Sequence, residues 1–139
     1  MITEFDMVDH MMLDEENHQV LMLIVDTQDL WRIEASGGLF NFGQKRKIEQ
    51  KQLEHLVCLK KKVENYIGWI QADALKEQFP GCDSLEGYNY DIHIITDFVP
   101  DSAYMDLINK MNQYISTERN DIVLTHEQKN NEYDDVDMR

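Results

Sequence analysis

Hydrophobic and polar positions alternate along some stretches of the chain and recur at helical spacing along others. In residues 5–13, Phe5, Met7, Met11 and Leu13 alternate with Asp6 and His10, with Asp9 out of phase, which predicts a strand buried on one face. A polar turn at 15–18 leads into a continuous apolar run, residues 20–25, closed by Asp26. Such a run suits a strand covered on both faces, and a hairpin of the two strands is the economical pairing. From 44 to 70 the period changes. Leu53, Leu56, Val57, Val63, Tyr66, Ile67 and Ile70 recur every three or four residues, which predicts a helix of about 39 Å with one apolar stripe. Gly68 inside it reads as a point of close approach to the sheet. A further turn or two through 72–79 should end at Pro80-Gly81.

Tyr88, Tyr90, Ile92, Ile94, Thr96 and Phe98 then alternate with Asn89, Asp91, His93, Ile95 and Asp97, a strand pattern. Asp101 or Ser102 caps a second helix with the stripe Tyr104, Leu107, Ile108, Met111, Tyr114 and Ile115. Residues 121–126 form a last short strand. The order strand, strand, helix, strand, helix, strand predicts an α+β two-layer sandwich. Its mostly antiparallel four-stranded sheet would carry a long helix and a shorter helix on one face. Residues 1–128 form the single domain, and 129–139, without apolar period, a flexible acidic tail.

Residues 26–43 fit neither period. Asp26 or Thr27 could cap a helical turn reaching Trp31, and 35–43 hold three glycines with Phe40 and Phe42. This loop either packs its aromatics under the sheet or presents them as an apolar surface.

Charge narrows the class. The 139 residues carry 27 acidic and 13 basic side chains, a net charge of -14. Residues 1–34 sum to -8, residues 35–64 to +4 and residues 65–139 to -10. So acidic a chain does not suit nucleic acid or anionic lipid as partner, and Lys45 to Lys62 read as the solvated face of the long helix. Two cysteines are too few for a disulfide framework. No apolar run is long enough for a membrane span, and acids among the first ten residues do not suit a signal peptide. The expectation is a soluble cytoplasmic protein.

Chemistry-bearing motifs are sparse. Five histidines occur without a zinc-binding spacing, and no nucleophile elbow, phosphate loop or dinucleotide fingerprint occurs. Neither an enzyme nor a metal or cofactor is expected. The best constellation is Asp91, His93 and Asp97, which alternation puts on one strand face. They could serve a general base or a metal, but the polar, solvent-facing side of a half-covered sheet is the simpler reading. Cys58 reads as a small packed hydrophobe, Cys82 sits beside a carboxylate that disfavours thiolate, and Met7, Met11, Met12 and Met22 read as core fillers.

Residues 20–26 (Val-Leu-Met-Leu-Ile-Val-Asp) followed by Trp31, then His55-Leu56-x-x-Leu59-x-x-Lys62 running into Tyr66-Ile67-x-x-Ile70, resemble a family of small bacterial proteins of unknown function. The resemblance covers residues 5–126, implies the same element order and brings no catalytic residue; residues 37–42 look like an insertion. A looser likeness links such proteins to the immunity proteins of bacterial toxin systems, including contact-dependent growth inhibition. An acidic, small, non-enzymatic protein suits the neutralisation of a basic, nuclease-type toxin, because opposite charge steers encounter. The expected contacts are Asp26, Asp29, Trp31, Phe40 and Phe42, then Glu15, Glu16, Asp83 and Glu86. The alternative is a homodimer built through the exposed side of the sheet or the 37–42 loop.

Overall fold

The polar break after the first apolar alternation makes a hairpin. The structure, a computed structural model, describes residues 10–27, 42–82 and 84–129, with the backbone alone for 42–45 and 76. Strands β1 (His10–Asp14) and β2 (Gln19–Asp26) pair antiparallel, with Leu13 opposite Val20 and His10 opposite Leu23. The Asp14 carboxylate accepts the Asn17 side-chain amide at 2.7 Å and its backbone N–H at 3.1 Å. His18 takes a left-handed φ of 53°, and the chain reverses. The bonds from Asn17 also hold the Asp14 carboxyl below its ordinary pKa.

Helix α1 (Phe42–Gln71) follows, then a short 3-10 turn (Leu75–Gln78), strand β3 (Asn89–Thr96), helix α2 (Ser102–Glu118) and strand β4 (Ile122–Gln128). The sheet order is β1-β2-β3-β4. Val20 lies opposite Tyr90 and Ile92 opposite Leu124, and both of these pairings are parallel. The sheet is therefore mixed, not mostly antiparallel. The reason is the connection. Each helix carries the chain back along the sheet before the next strand begins, so neighbours joined through a helix run the same way. Among the described residues only the hairpin is antiparallel.

One face of this sheet is sealed. Val20, Met22, Ile24, Ile92, Ile94 and Leu124 are buried against Leu59, Val63, Tyr66 and Ile70 of α1 and Tyr104, Ile108, Met111 and Ile115 of α2. The Tyr66 hydroxyl donates to the Leu23 carbonyl at 3.0 Å, tying α1 to β2. Asp101, in extended conformation, caps α2 by accepting the Tyr104 N–H at 3.0 Å. The expectation that β2 is covered on both faces gives way to alternation: its even-numbered residues are buried, while Leu21, Leu23 and Val25 are half-buried.

Helix α1 departs further from its sequence reading. Its inward row is His55, Leu59, Lys62, Tyr66 and Ile70, whereas Leu53 and Val57 are 56% and 59% exposed. Among the described residues a Cβ added at Gly68 would meet no atom within 4 Å, so this glycine makes no close approach to the described sheet. It costs the helix about 1 kcal/mol relative to alanine without an internal packing gain. Met22 fills the core and Met11 packs partly against it, but Met12 is exposed, and Met7 lies outside the described residues. Cys58 and Cys82 are free and partly buried against the core. Among the described residues no helix is long and apolar enough to cross a membrane.

Ile92 sits at the centre of the sealed face. Replacing it with alanine should cost about 2–5 kcal/mol through lost burial and a residual cavity. Val99→Ala, at an exposed site, should stay within about 0.5 kcal/mol. Denaturant unfolding of both variants checks the assignment, and equal effects would refute it.

Candidate functional site

Three loops meet at the end of the sheet where β2, β3 and β4 begin. The Asn89 N–H donates to the His18 carbonyl at 2.9 Å, and the Tyr90 N–H to the Asp121 carbonyl at 2.7 Å. His18 stands edge-on to Tyr88, with ring centroids 5.1 Å apart. The Glu86 N–H donates to the Ser84 hydroxyl at 3.0 Å, which fixes the loop ahead of β3. These bonds gather Asp14, Glu15, Glu16 and Glu86 at one end. Burial pushes the Tyr88 phenol up first, then its contact with Cys82, and the negative charges of Glu15 and Asp14 push it further. Tyr90 rises for the same leading reason, with Asp121 and Asp73 adding to it. Asp121 is held below the usual carboxylate range by Arg119, which donates to it through Nε at 2.9 Å and through Nη2. Beside this end a depression of about 670 Å³ is lined by Met12, Asp14, Glu15, Glu16, Leu21 and Asp91, among others. It combines carboxylates with an apolar floor.

Of the residues expected to bind a partner, Glu15, Glu16 and Glu86 come together here and are exposed. Asp26 does not join them. It lies at the opposite end of β2, seven residues beyond Gln19, roughly 23 Å away. It is also 0% exposed, which corrects its place among the surface contacts. Phe42 is the first residue of α1, its side chain not described, while Asp29, Trp31, Phe40 and Asp83 lie outside the described residues.

Asp26 instead anchors a polar cluster that the sequence reading missed. Its Oδ2 accepts the Tyr104 hydroxyl at 2.6 Å and lies 2.6 Å from His55 Nε2. One carboxylate thus joins the end of β2 to both helices, which places both helices on the same face. A buried anion needs such donors, because desolvation alone costs several kcal/mol. Burial, then the charge of Asp26, pushes the Tyr104 phenol far above its ordinary pKa, so it stays a donor. Lys62, on the same inward row of α1, is fully buried and also engaged. Nearby, the Thr96 hydroxyl donates to the Phe98 carbonyl at 2.9 Å, and its oxygen lies 3.0 Å from His126 Nε2. With its one proton given away, Thr96 accepts from His126, fixing that tautomer. The available signal was the helical offset from His55 to Lys62, both falling on the Leu59–Tyr66 side of α1.

Asp91 and His93 lie on the uncovered face, as alternation implies, but β3 ends at Thr96 and Asp97 falls in the bend beyond it. The Thr125 hydroxyl donates to Asp91 at 2.7 Å and takes a bond from His93 Nδ1. His93 Nε2 lies 2.8 Å from the Glu127 carboxylate, and this bond holds Glu127 below its ordinary pKa. Asp91, Thr125, His93 and Glu127 thus satisfy one another across β3 and β4. Among the described residues no group of three His, Cys, Asp or Glu side chains could hold a metal ion.

A protein-family model described as a family of unknown function (DUF6572) matches residues 44–130. The chain belongs to that family. No curated protein and no solved structure matches it. In this DUF6572 member the matched stretch takes in most of α1 together with β3, α2 and β4, and so holds His55, Thr96, Tyr104 and His126. Asp26, which two of these residues bind, comes from the hairpin ahead of the match.

Asp26→Asn should destabilise the fold by about 3–5 kcal/mol, the cost of breaking a buried pair. Tyr104→Phe should cost about 1–3 kcal/mol, since it leaves the carboxylate short of one donor. Denaturant unfolding reads both, and an unchanged midpoint in Asp26→Asn would remove the anchor. His126 gives a pH signature. Burial first, then the charge of His93, lowers its folded pKa below the unfolded 6.5. Below 6.5 the unfolded chain therefore binds more protons, and stability falls until the folded value is passed. In His126→Gln the stability difference between about pH 5 and pH 7.5 should shrink.

Proposed function

We propose that this protein is a non-enzymatic immunity protein, which binds a basic, nuclease-type bacterial toxin and occludes its site. The observation that carries the reading is the meeting of Asp14, Glu15 and Glu16 with Met12 and Leu21 around one depression, at the end of the sheet where Glu86 also stands exposed. A basic toxin surface finds carboxylates for its lysines and arginines there, and apolar area for an anchoring side chain. Strand β1 is also an edge among the described residues. An edge strand offers unpaired backbone groups to an incoming segment. The role needs no cofactor, nucleic acid or membrane, and a cytoplasmic location agrees with it.

The test is binding to the toxin encoded by the adjacent gene. Association should slow at least about tenfold between low salt and roughly 0.5 M, as screening removes the steering. Charge reversal in Glu15→Lys with Glu16→Lys should slow it comparably at low salt, while Lys51→Glu on α1 should not. Failure to bind that toxin, or binding indifferent to both salt and reversal, would sink the proposal.

A further inference from the structure

The apolar residues displaced from the inward row of α1 are not scattered. At about 100° per residue, Leu53, Leu56, Val57, Lys60, Glu64 and Ile67 all fall within one flank of the helix. The cleft of about 410 Å³ between the two helices adjoins this flank, and Leu107, Met111 and Tyr114 form its α2 side. Tyr114 is 68% exposed. Leu53 and Val57 lie open, while Leu56 and Ile67 on the same flank are half-buried against the core, so exposed apolar area borders the cleft along about 21 Å of α1 from Leu53 to Ile67.

We infer that this flank joins two copies of the chain, with the α1 helices packed antiparallel about a two-fold axis near residue 62. Between residues 56 and 68 the flank is self-complementary about that point. Under the two-fold, Lys60 of one copy faces Glu64 of the other. Val57 faces Ile67, so apolar meets apolar, and Leu56 faces Gly68, so a bulky side chain meets the residue with none. Each pairing occurs twice, as a two-fold interface requires. Gly68 gains a reason here. Among the described residues a Cβ at this position would touch nothing within 4 Å, so the glycine is open to a close approach from a second copy. Charge favours the same face. The charges named on the flank, Lys60 and Glu64, sum to zero in a chain of net charge -14, so copies meeting there escape the repulsion that the acidic surfaces impose. The open sheet face suits self-association less, because Asp14, Asp91 and Glu127 lie on it or at its rim. This inference stands apart from the toxin reading, which uses the far end of the sheet.

Sedimentation equilibrium of the full chain, up to concentrations on the order of 100 μM, should show a monomer–dimer equilibrium. Lys60→Glu places like charges opposite each other and should raise the dissociation constant at least about tenfold; Glu64→Lys should do the same. The double exchange, Lys60→Glu with Glu64→Lys, should restore association to within about threefold, since only the direction of the pairing changes. Gly68→Leu should weaken the dimer, while circular dichroism shows the helices intact. A chain that stays monomeric throughout overturns the inference. So does a dimer indifferent to the single exchanges, or a double exchange that fails to restore it. Toxin binding by the monomeric variants separates this outcome from failure of the toxin reading.

Discussion

A carboxylate without water must be met by donors, and Asp26 is met from both helices. His55 of α1 and Tyr104 of α2 converge on the same oxygen, each at 2.6 Å. Apolar packing alone is tolerant of small rotations and slides, because many arrangements bury similar area. A buried anion is not tolerant, since a shift of about an ångström leaves it desolvated and unpaired. The end of β2 therefore sets the rotation of α1 and the approach of α2 together, and the Tyr66 bond to Leu23 repeats the tie farther along β2.

That constraint explains why the sheet and α2 were legible in the sequence and α1 was not. Strand β3 alternates in sequence up to Ile94, with Ile95 and Thr96 out of phase, and its burial alternates throughout, so period finds it and its buried side, including Ile92 and Ile94. In α2 the stripe positions Tyr104, Ile108, Met111 and Ile115 are buried and Leu107 is half-buried, while Tyr114 turns to the surface. In α1 hydrophobicity misleads. Its inward row contains a histidine and a lysine drawn in by polar chemistry, so Leu53 and Val57, which strengthen the apparent stripe, turn to the surface. Strand direction was hidden for a different reason: alternation carries no sense of parallel or antiparallel, and only the helical connections decide it.

The candidate surface divides along similar lines. Glu15, Glu16 and Glu86 were visible as acidic turn residues, and turns at the same end of adjacent strands come together by topology. Asp26 looked similar in sequence, an acid at a strand end, yet its role is interior. Nothing local distinguishes a solvated carboxylate from one awaiting a histidine 29 residues away and a tyrosine 78 residues away. Long-range partners are the part of a site that a single sequence conceals.

Rotation of α1 has a consequence for charge as well as for packing. With His55 and Lys62 turned inward, the outward flank keeps Lys60 and Glu64 one turn apart among apolar neighbours, a balanced pattern on an otherwise acidic molecule. Four exposed acids, Asp14, Glu15, Glu16 and Glu86, stand on the loops at the hairpin end. A molecule this acidic repels its own copies at most orientations and attracts cationic surfaces at long range. In the proposed arrangement, short-range pairing along α1 and long-range attraction at the hairpin end use different surfaces. The same buried carboxylate that ties both helices to β2 thereby decides which residues of α1 are left outside.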